Sequence, residues 1–362
     1  MAETIISAAA RAKQWDDNFF MEYVRDSRFK RYMGSSENDI IQVNSDLTRK
    51  KGDAFTFNLV GALDASSGPN DGSTLLVGAE KALPNDGFQL TVGVVRDATV
   101  VNNLEEQASA FDVRDAGRMA LKKLAMRYLK FAIIDALGMI NGVAYASAST
   151  ADKNAWNVAN SDRVLYGNAV ANYNATHATA LLNITAAMTL DKETVSLAKS
   201  IAQSAVTVNG DGITPYTYGE DEETFVMFAG TYAYRDLKLD LATVHMEARE
   251  RALTNPLFTG TTSLYWDGVV IREIPEIPGT GNAGAAGAPV APVYLCGSQA
   301  VGVAWAQTTK TTVRKEDDYG FRQGVGFQEI RKVGKIVWNQ SAGASAIDWG
   351  IVTVFVAAAP PA

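Results

Sequence analysis

The side chains best suited to metal ligation or nucleophilic chemistry are few: two histidines, His177 and His245, and one cysteine, Cys296. A metal or hydrolytic centre needs such residues grouped at short, characteristic spacings. Neither histidine stands in a His/Cys/carboxylate spacing of that kind, so both are read as surface or core residues. Cys296 follows Val293, Tyr294 and Leu295 and is read as a small buried hydrophobe. Gly302 and the pair Gly324-Val-Gly326 lack the Gly-Lys-Ser/Thr ending of a phosphate loop, and no G-x-S-x-G elbow or H-E-x-x-H helix occurs. The acidic run Gly219-Glu-Asp-Glu-Glu223, preceded by Asn209-Gly-Asp-Gly212, offers carboxylates to a divalent cation but without the ligand spacing of a calcium loop. It is read as a solvated turn. No catalytic, cofactor-binding or metal-ligating residue is assigned, and no cofactor is expected.

Basic residues give a different chemistry. Arg25, Arg28, Lys30 and Arg31 form one cluster and Arg49, Lys50 and Lys51 another. Both are candidates for a sequence-blind contact with nucleic-acid phosphates. They stand out because the 362-residue chain has a formal net charge of −7, which argues against generic nucleic-acid binding by the whole molecule. The single cysteine excludes an intrachain disulfide and fits a reducing compartment. No apolar run approaches the ~20 residues of a membrane helix. Glu3 stands where a secretory signal would carry positive charge, so a soluble protein made in the cytoplasm is expected.

The elements that must position these residues follow from periodicity. A helical patch from Ala8 to Arg31 carries Trp15, Phe19, Phe20 and Tyr23, aromatic anchors with too few partners for a core of their own. Asp53 to Leu63 alternates as a strand with Phe55, Phe57 and Leu59 on one side; Phe88 to Val101 alternates again with Leu90, Val92 and Val94 aligned. Between them the tetrapeptide Pro-Asn-Asp-Gly occurs twice, at Pro69 and Pro84, and predicts tight turns. A long hairpin of this kind is marginal alone and is expected to lie on a neighbouring molecule. Asn103, with Glu106 three residues on, predicts the start of one helix from Leu104 to Leu137. Its acids crowd the first half and its Lys and Arg residues the second, as the helix dipole prefers. Residues 141–184 read as irregular, 189–205 as an amphipathic helix, Thr224–Ala229 as a strand, 231–240 as a helix with further helix to Leu253, Leu264–Ile274 as one strand, and 279–292 as a flexible surface loop. Strands and a short helix are expected over 293–306, more strands over 311–338, and Asp348–Val356 reads as a central strand.

These features, in this order, resemble the major capsid proteins of tailed bacteriophages, which have the HK97-like fold, and in particular the N4-like coat-protein group. The resemblance rests on Asp46-Leu-Thr-Arg-Lys-Lys-Gly-Asp-Ala-Phe-Thr-Phe57 with Leu59-Val-Gly61, Gln107-Ala-Ser-Ala-Phe-Asp-Val-Arg114, Asn255-Pro-Leu-Phe-Thr-Gly260 with Asp267-Gly-Val-Val-Ile271, and Gly297-Ser-Gln-Ala300 with Trp305. It implies an α+β fold with an N-terminal arm (1–45), an extended loop (46–101), a peripheral domain with a spine helix and a following irregular segment (102–184), an axial domain (185–306) and peripheral C-terminal strands (307–362). It further implies an icosahedral virion shell of pentamers and hexamers, assembled in the host cytoplasm around double-stranded DNA held non-specifically. A separate scaffolding protein and a portal are expected, with room for a decoration protein, and no membrane is involved. In such shells the extended loop lies over the adjacent subunit, which makes Phe55, Phe57, Pro69, Lys81 and Pro84, with Trp15 and Phe19 of the arm, the expected inter-subunit residues. Some relatives cross-link subunits through Lys and Asn; Lys81 lies near the loop tip, but no motif accompanies it. The alternative within the same fold is an encapsulin-type compartment around a protein cargo.

Overall fold

The computed structural model describes residues 28–45, 47, 52–66, 68–70, 73, 76–109, 112–217, 223–242, 263–314 and 321–360. The chain forms two compact units, one of residues 1–27, 94–129 and 307–330, the other of 28–93, 130–306 and 331–362. In order, the elements are β1 (Met33–Gly34), β2 (Ile41–Asn44), β3 (Ala54–Val60), β4 (Asn85–Thr91), β5 (Gly93–Asn102), α1 (Asn103–Ala108), α2 (Val113–Leu137), α3 (Thr150–Ala159), β6 (Val164–Tyr166), α4 (His177–Leu182), α5 (Lys192–Ser204), β7 (Tyr216–Thr217), β8 (Glu223–Ala229), α6 (Thr231–Asp240), β9 (Ser263–Trp266), β10 (Val269–Glu273), β11 (Val290–Cys296), β12 (Val301–Arg314), β13 (Arg322–Lys335), β14 (Val337–Trp338), β15 (Ile347–Asp348) and β16 (Ile351–Ala357).

The larger unit is built on a mixed sheet in the order β6-β16-β11-β8-β10-β9. Every residue of β16 is buried, which follows from its place between β6, parallel to it, and β11, antiparallel. A strand covered on both faces reads as an unbroken apolar run rather than an alternation. Its side chains divide between two cores: Val352, Val354 and Val356 pack with Val195, Ala198 and Ala202 of α5 and Leu237 of α6, while Phe355 and Ala357 pack with Trp156 of α3 and Leu181 of α4. The pairing corrects the expected division at three places. Residues 141–184 are not irregular, since they supply α3, β6 and α4 to this sheet and its cover. Both 141–184 and 347–357, expected with the peripheral domain, belong to the same compact unit as 185–306. The loop 279–292 is likewise tied in: Gly281 bridges Val290, and Ala288 and Val290 are buried.

Three further expectations change. Leu264–Ile274 is a hairpin, β9 and β10, reversed at Asp267-Gly268 where both residues take positive φ. The segment 293–306 holds two strands and no helix. The expected single helix 104–137 is two, with α1 ending at Ala108 and α2 starting at Val113; the N-cap is Asn102, whose side chain accepts from the Leu104 amide. Phe111 lies outside the described residues. The second half of α2 buries Ile133, Ile134, Ala136 and Leu137, and Lys130 is buried against Glu276 at 2.8 Å. No basic residue stands in its last turn, so the helix dipole does not account for the cations further up.

The smaller unit packs Leu121, Leu124 and Ala125 of α2 against Val95 of β5 and Val325 and Phe327 of β13. At its edges Asn103 N donates to the Phe321 carbonyl, Arg114 to the side chain of Gln323, and the Tyr128 hydroxyl to Asp97 at 3.1 Å.

Candidate functional site

The hairpin of β3 and β4 was expected to be a free arm continuous with β5. Its ladder instead runs from Ala54↔Thr91 to Val60↔Asn85, and the second strand breaks at Val92-Gly93: Leu90 is buried while Val94 is exposed. The root of the hairpin packs on its own unit. Leu59, Phe88 and Leu90 form a core with Ala304 and Ile336, flanked by Phe55 and Phe57, whose rings meet edge-to-face at 4.8 Å. Two glycines make the fit possible. A Cβ on Gly302 would lie 2.9 Å from the Phe57 ring, and one on Gly334 would lie 2.7 Å from Leu90 Cδ2. Glycines inside strands that admit a neighbouring chain this closely are a signal the sequence carried at Gly302 and Gly334. Thus Phe55 and Phe57 cover an intramolecular core, and the expectation that the hairpin cannot bury itself in its own subunit fails for the root.

Gln340 holds β4 in place, accepting from Gln89 N at 2.8 Å and donating to Gln89 O at 3.0 Å, and Asp86 accepts from Asn339 N. These contacts and the pairing with β3 turn Asn85-Asp-Gly87 into strand, so the turn expected at the second Pro-Asn-Asp-Gly does not form. Of the first copy, Asp71 and Gly72 lie outside the described residues.

The tip behaves differently. Past Val60 and before Asn85, Pro69 and Lys81 are exposed and Pro84 is half-buried, its carbonyl accepting from Gly61 N at 2.9 Å. Lys81 Nζ donates to the Asp64 carbonyl and, at 3.4 Å, to that of Gly68, so it closes the tip on itself. Leu63, Leu76, Val77 and Leu83 are exposed, Val77 by 78% and Leu76 by 62%. All four belong to the loop that joins β3 to β4.

The basic cluster is partly withdrawn. Arg28 Nη1 donates to the Glu273 carbonyl at 2.6 Å and pairs with its carboxylate at 3.3 Å, while Phe29 and Tyr32 pack edge-on against Phe228. Arg28 therefore anchors this segment to β8 and β10. Lys30 and Arg31 are exposed. Trp15, Phe19, Arg25, Arg49, Lys50 and Lys51 lie outside the described residues, as do His245 and residues 218–222 of the acidic run. Asn209 fastens the start of the tip by donating to the Ala62 carbonyl at 3.1 Å. Among the described residues no group of three potential metal ligands occurs, and no helix is long and apolar enough to cross a membrane.

Two buried polar networks serve the larger unit. Asp348, 1% exposed, accepts through Oδ2 from Lys335 Nζ at 2.8 Å and from Trp156 Nε1 at 3.1 Å. Its backbone N donates to Asn160 Oδ1 at 2.7 Å, and its carbonyl accepts from Arg163. A cavity of about 280 Å³ adjoins this network, lined in part by Lys335, Asp348, Asn141 and the β4 residues Phe88–Thr91. In the second network His177, 3% exposed, sits between two tyrosine hydroxyls, each 2.6 Å from a ring nitrogen. Tyr166 donates to Asn157 Oδ1 at 2.8 Å, so it accepts from Nδ1–H of His177, leaving Nε2 to accept from Tyr145. Burial, helped by Lys153, pushes the His177 pKa down to about 4, and burial pushes both tyrosines up. His177 is thus a core histidine, neutral and fully hydrogen-bonded. Cys296 is buried and its thiol is also pushed up by burial.

A mixed-sheet unit, a long helix and a hairpin with an exposed apolar tip fit a shell-building subunit of the HK97-like class. The family model described as phage capsid protein matches residues 4–360, and the chain belongs to that family. It is a major capsid protein of a tailed bacteriophage. Among solved structures it is similar to the capsid of cyanophage Pam1, with 35% identity, a TM-score of 0.87 and 100% of both chains covered. It is similar in fold to the capsid of Ralstonia phage GP4 (19% identity, TM-score 0.75, 100% of both chains). The head of Helicobacter pylori bacteriophage KHP40 also matches (12% identity, TM-score 0.66, 97% of this chain and 96% of that one). No curated protein matches. The encapsulin alternative is not favoured.

Proposed function

We propose that this capsid protein assembles in the host cytoplasm into pentamers and hexamers that close around double-stranded DNA, and that it catalyses no reaction. The observation that carries this reading is the contrast within one hairpin: a root fixed in the subunit's own core and a tip that exposes Leu63, Leu76, Val77 and Leu83. Burying such a tip on an adjacent copy removes apolar surface from water at ~25 cal/mol per Å², and the same contact repeated around a ring gives a closed assembly. Pro69, Lys81 and Pro84 belong to this contact, with Lys81 shaping the tip. A separate scaffolding protein sets the curvature and a portal completes the particle, with room for a decoration protein.

Negative-stain electron microscopy of the purified protein, alone and with lysate from its source, tests this. Closed shells of uniform diameter containing nucleic acid are expected. Shells filled with a protein cargo, or a monodisperse monomer under both conditions, would overturn it.

A further inference from the structure

Between Ala116 and Leu129, helix α2 carries Arg118, Lys122, Lys123 and Arg127 and no carboxylate, in a chain of net charge −7. At about 100° per residue these four fall within one half of the helix circumference. The opposite half carries Leu121 and Ala125, packed on Val325 and Phe327. Arg118, Lys122 and Arg127 are exposed and Lys123 half-buried, with Met119 and Met126 exposed between them.

The stability of the helix does not explain this arrangement. Arg118 with Lys122, and Lys123 with Arg127, are like charges four residues apart, a spacing that destabilises a helix. The favourable effect of the dipole on cations is confined to the last turn, and α2 continues for a further ten residues past Arg127, to Leu137. Asp115, one turn before, pairs with Arg118 at 2.6 Å. Asp115 thus shares this face and offsets Arg118, and Lys122, Lys123 and Arg127 still outnumber it, against the bias of the whole molecule.

We propose that this face of α2 contacts the phosphate backbone of the packaged duplex without regard to base sequence. The proposal rests on the shell reading above and adds to it the surface that meets the DNA. A protein partner is disfavoured because protein interfaces exclude lysine from their centres, whereas here Lys122 and Lys123 occupy the middle of the face. From Arg118 to Arg127 the helix rises about 14 Å, a length along which a duplex presents roughly eight phosphates. Lys122 and Lys123, at the middle of the face and opposite that excess, need no fixed register, which suits DNA packed without a preferred sequence.

The test is fluorescence anisotropy of a random 20-base-pair duplex with the full chain across a salt series, for the wild type and for Lys122→Gln/Lys123→Gln. Removing two phosphate contacts is expected to make the slope of log K against log salt shallower by about 1.8. The same change is expected with a second duplex of unrelated sequence. Lys238→Gln, which removes an exposed cation from α6, should leave the slope unaltered. No binding by the wild type, an unchanged slope in the double variant, or tighter binding of poly-L-glutamate than of duplex at equal charge would overturn the proposal. Electron microscopy of the same variant separates the two readings. Closed shells with an unchanged slope would remove the DNA-facing role while leaving shell assembly intact, and absent wild-type shells would remove the assembly reading instead.

Discussion

The root and the tip of the hairpin β3–β4 belong to one continuous segment, yet they obey opposite rules. At the root, alternate residues point into a core that Gly302 and Gly334 have cleared for them, and Gln340 and Asn339 fasten the outer strand. At the tip, the ladder ends, the backbone is closed by Lys81 on carbonyls of its own loop, and apolar side chains face solvent. The root is fold, and the tip is where the proposed interface lies. A capsid subunit needs both in one element, because an arm that grips a neighbour transmits force only if its base is rigid.

The sharpest way to break the fold side of this contrast is at Asp348, beside the cavity under the root. Asp348→Ala strips the partner from buried Lys335 and from Trp156 Nε1. Removing one member of a buried ion pair costs ~3–5 kcal/mol, so the variant should lose most of its folded population in a denaturant titration; a midpoint within error of the wild type would show that the network does not hold the body.

The body should also answer to acid. His177 has a folded pKa of about 4, below the ordinary value of 6.5. The unfolded chain therefore takes up a proton first as pH falls. The stabilising contribution is complete above pH 6.5, declines towards pH 4 and is lost below it, a change of about 3 kcal/mol at most. A His177→Gln variant should flatten the decline in stability between pH 6.5 and 4. An equally steep decline in that variant would assign the acid sensitivity elsewhere.

A smaller effect is expected at the root itself. Gly302→Val drives a side chain into the Phe57 ring and should cost ~1–3 kcal/mol in thermal or chemical unfolding. A neutral result would mean the hairpin can lift off its core without penalty.

Much of this organisation was legible in the residues. The apolar run of β16, the strand β8 and the helices α5 and α6 lie close to where periodicity puts them. The segment 141–184 was not legible, because its Ala, Asn, Ser and Thr residues carry weak periodicity. Its folding depends on polar contacts made at long range, such as Asn160 with Ala346 and Asp348, and Arg163 with Asp348. The second Pro-Asn-Asp-Gly failed as a turn because tertiary pairing outweighed local preference. The positive φ at Asp267-Gly268 was, by contrast, a hairpin signal available in the dipeptide itself. Of the interface candidates, Pro69 was placed in the loop by its turn tetrapeptide and Lys81 by its position between the two strands, and their role came from the resemblance. Phe55 and Phe57 could not be apportioned between fold and interface without the glycines facing them. The cations of α2 were visible as charges, and because the expected helix already ended at Leu137, their distance from its last turn was legible as well.

The central claim is that the tip clamps a neighbouring copy while the subunit folds without it. Replacing residues 64–82 by a short Gly-Ser linker, and comparing this variant with the wild type by circular dichroism, thermal melting and electron microscopy, tests it most directly. The account predicts an unchanged spectrum and a melting temperature close to the wild type, with closed shells replaced by free subunits or small rings. Shells of normal diameter and yield from the shortened chain would contradict it.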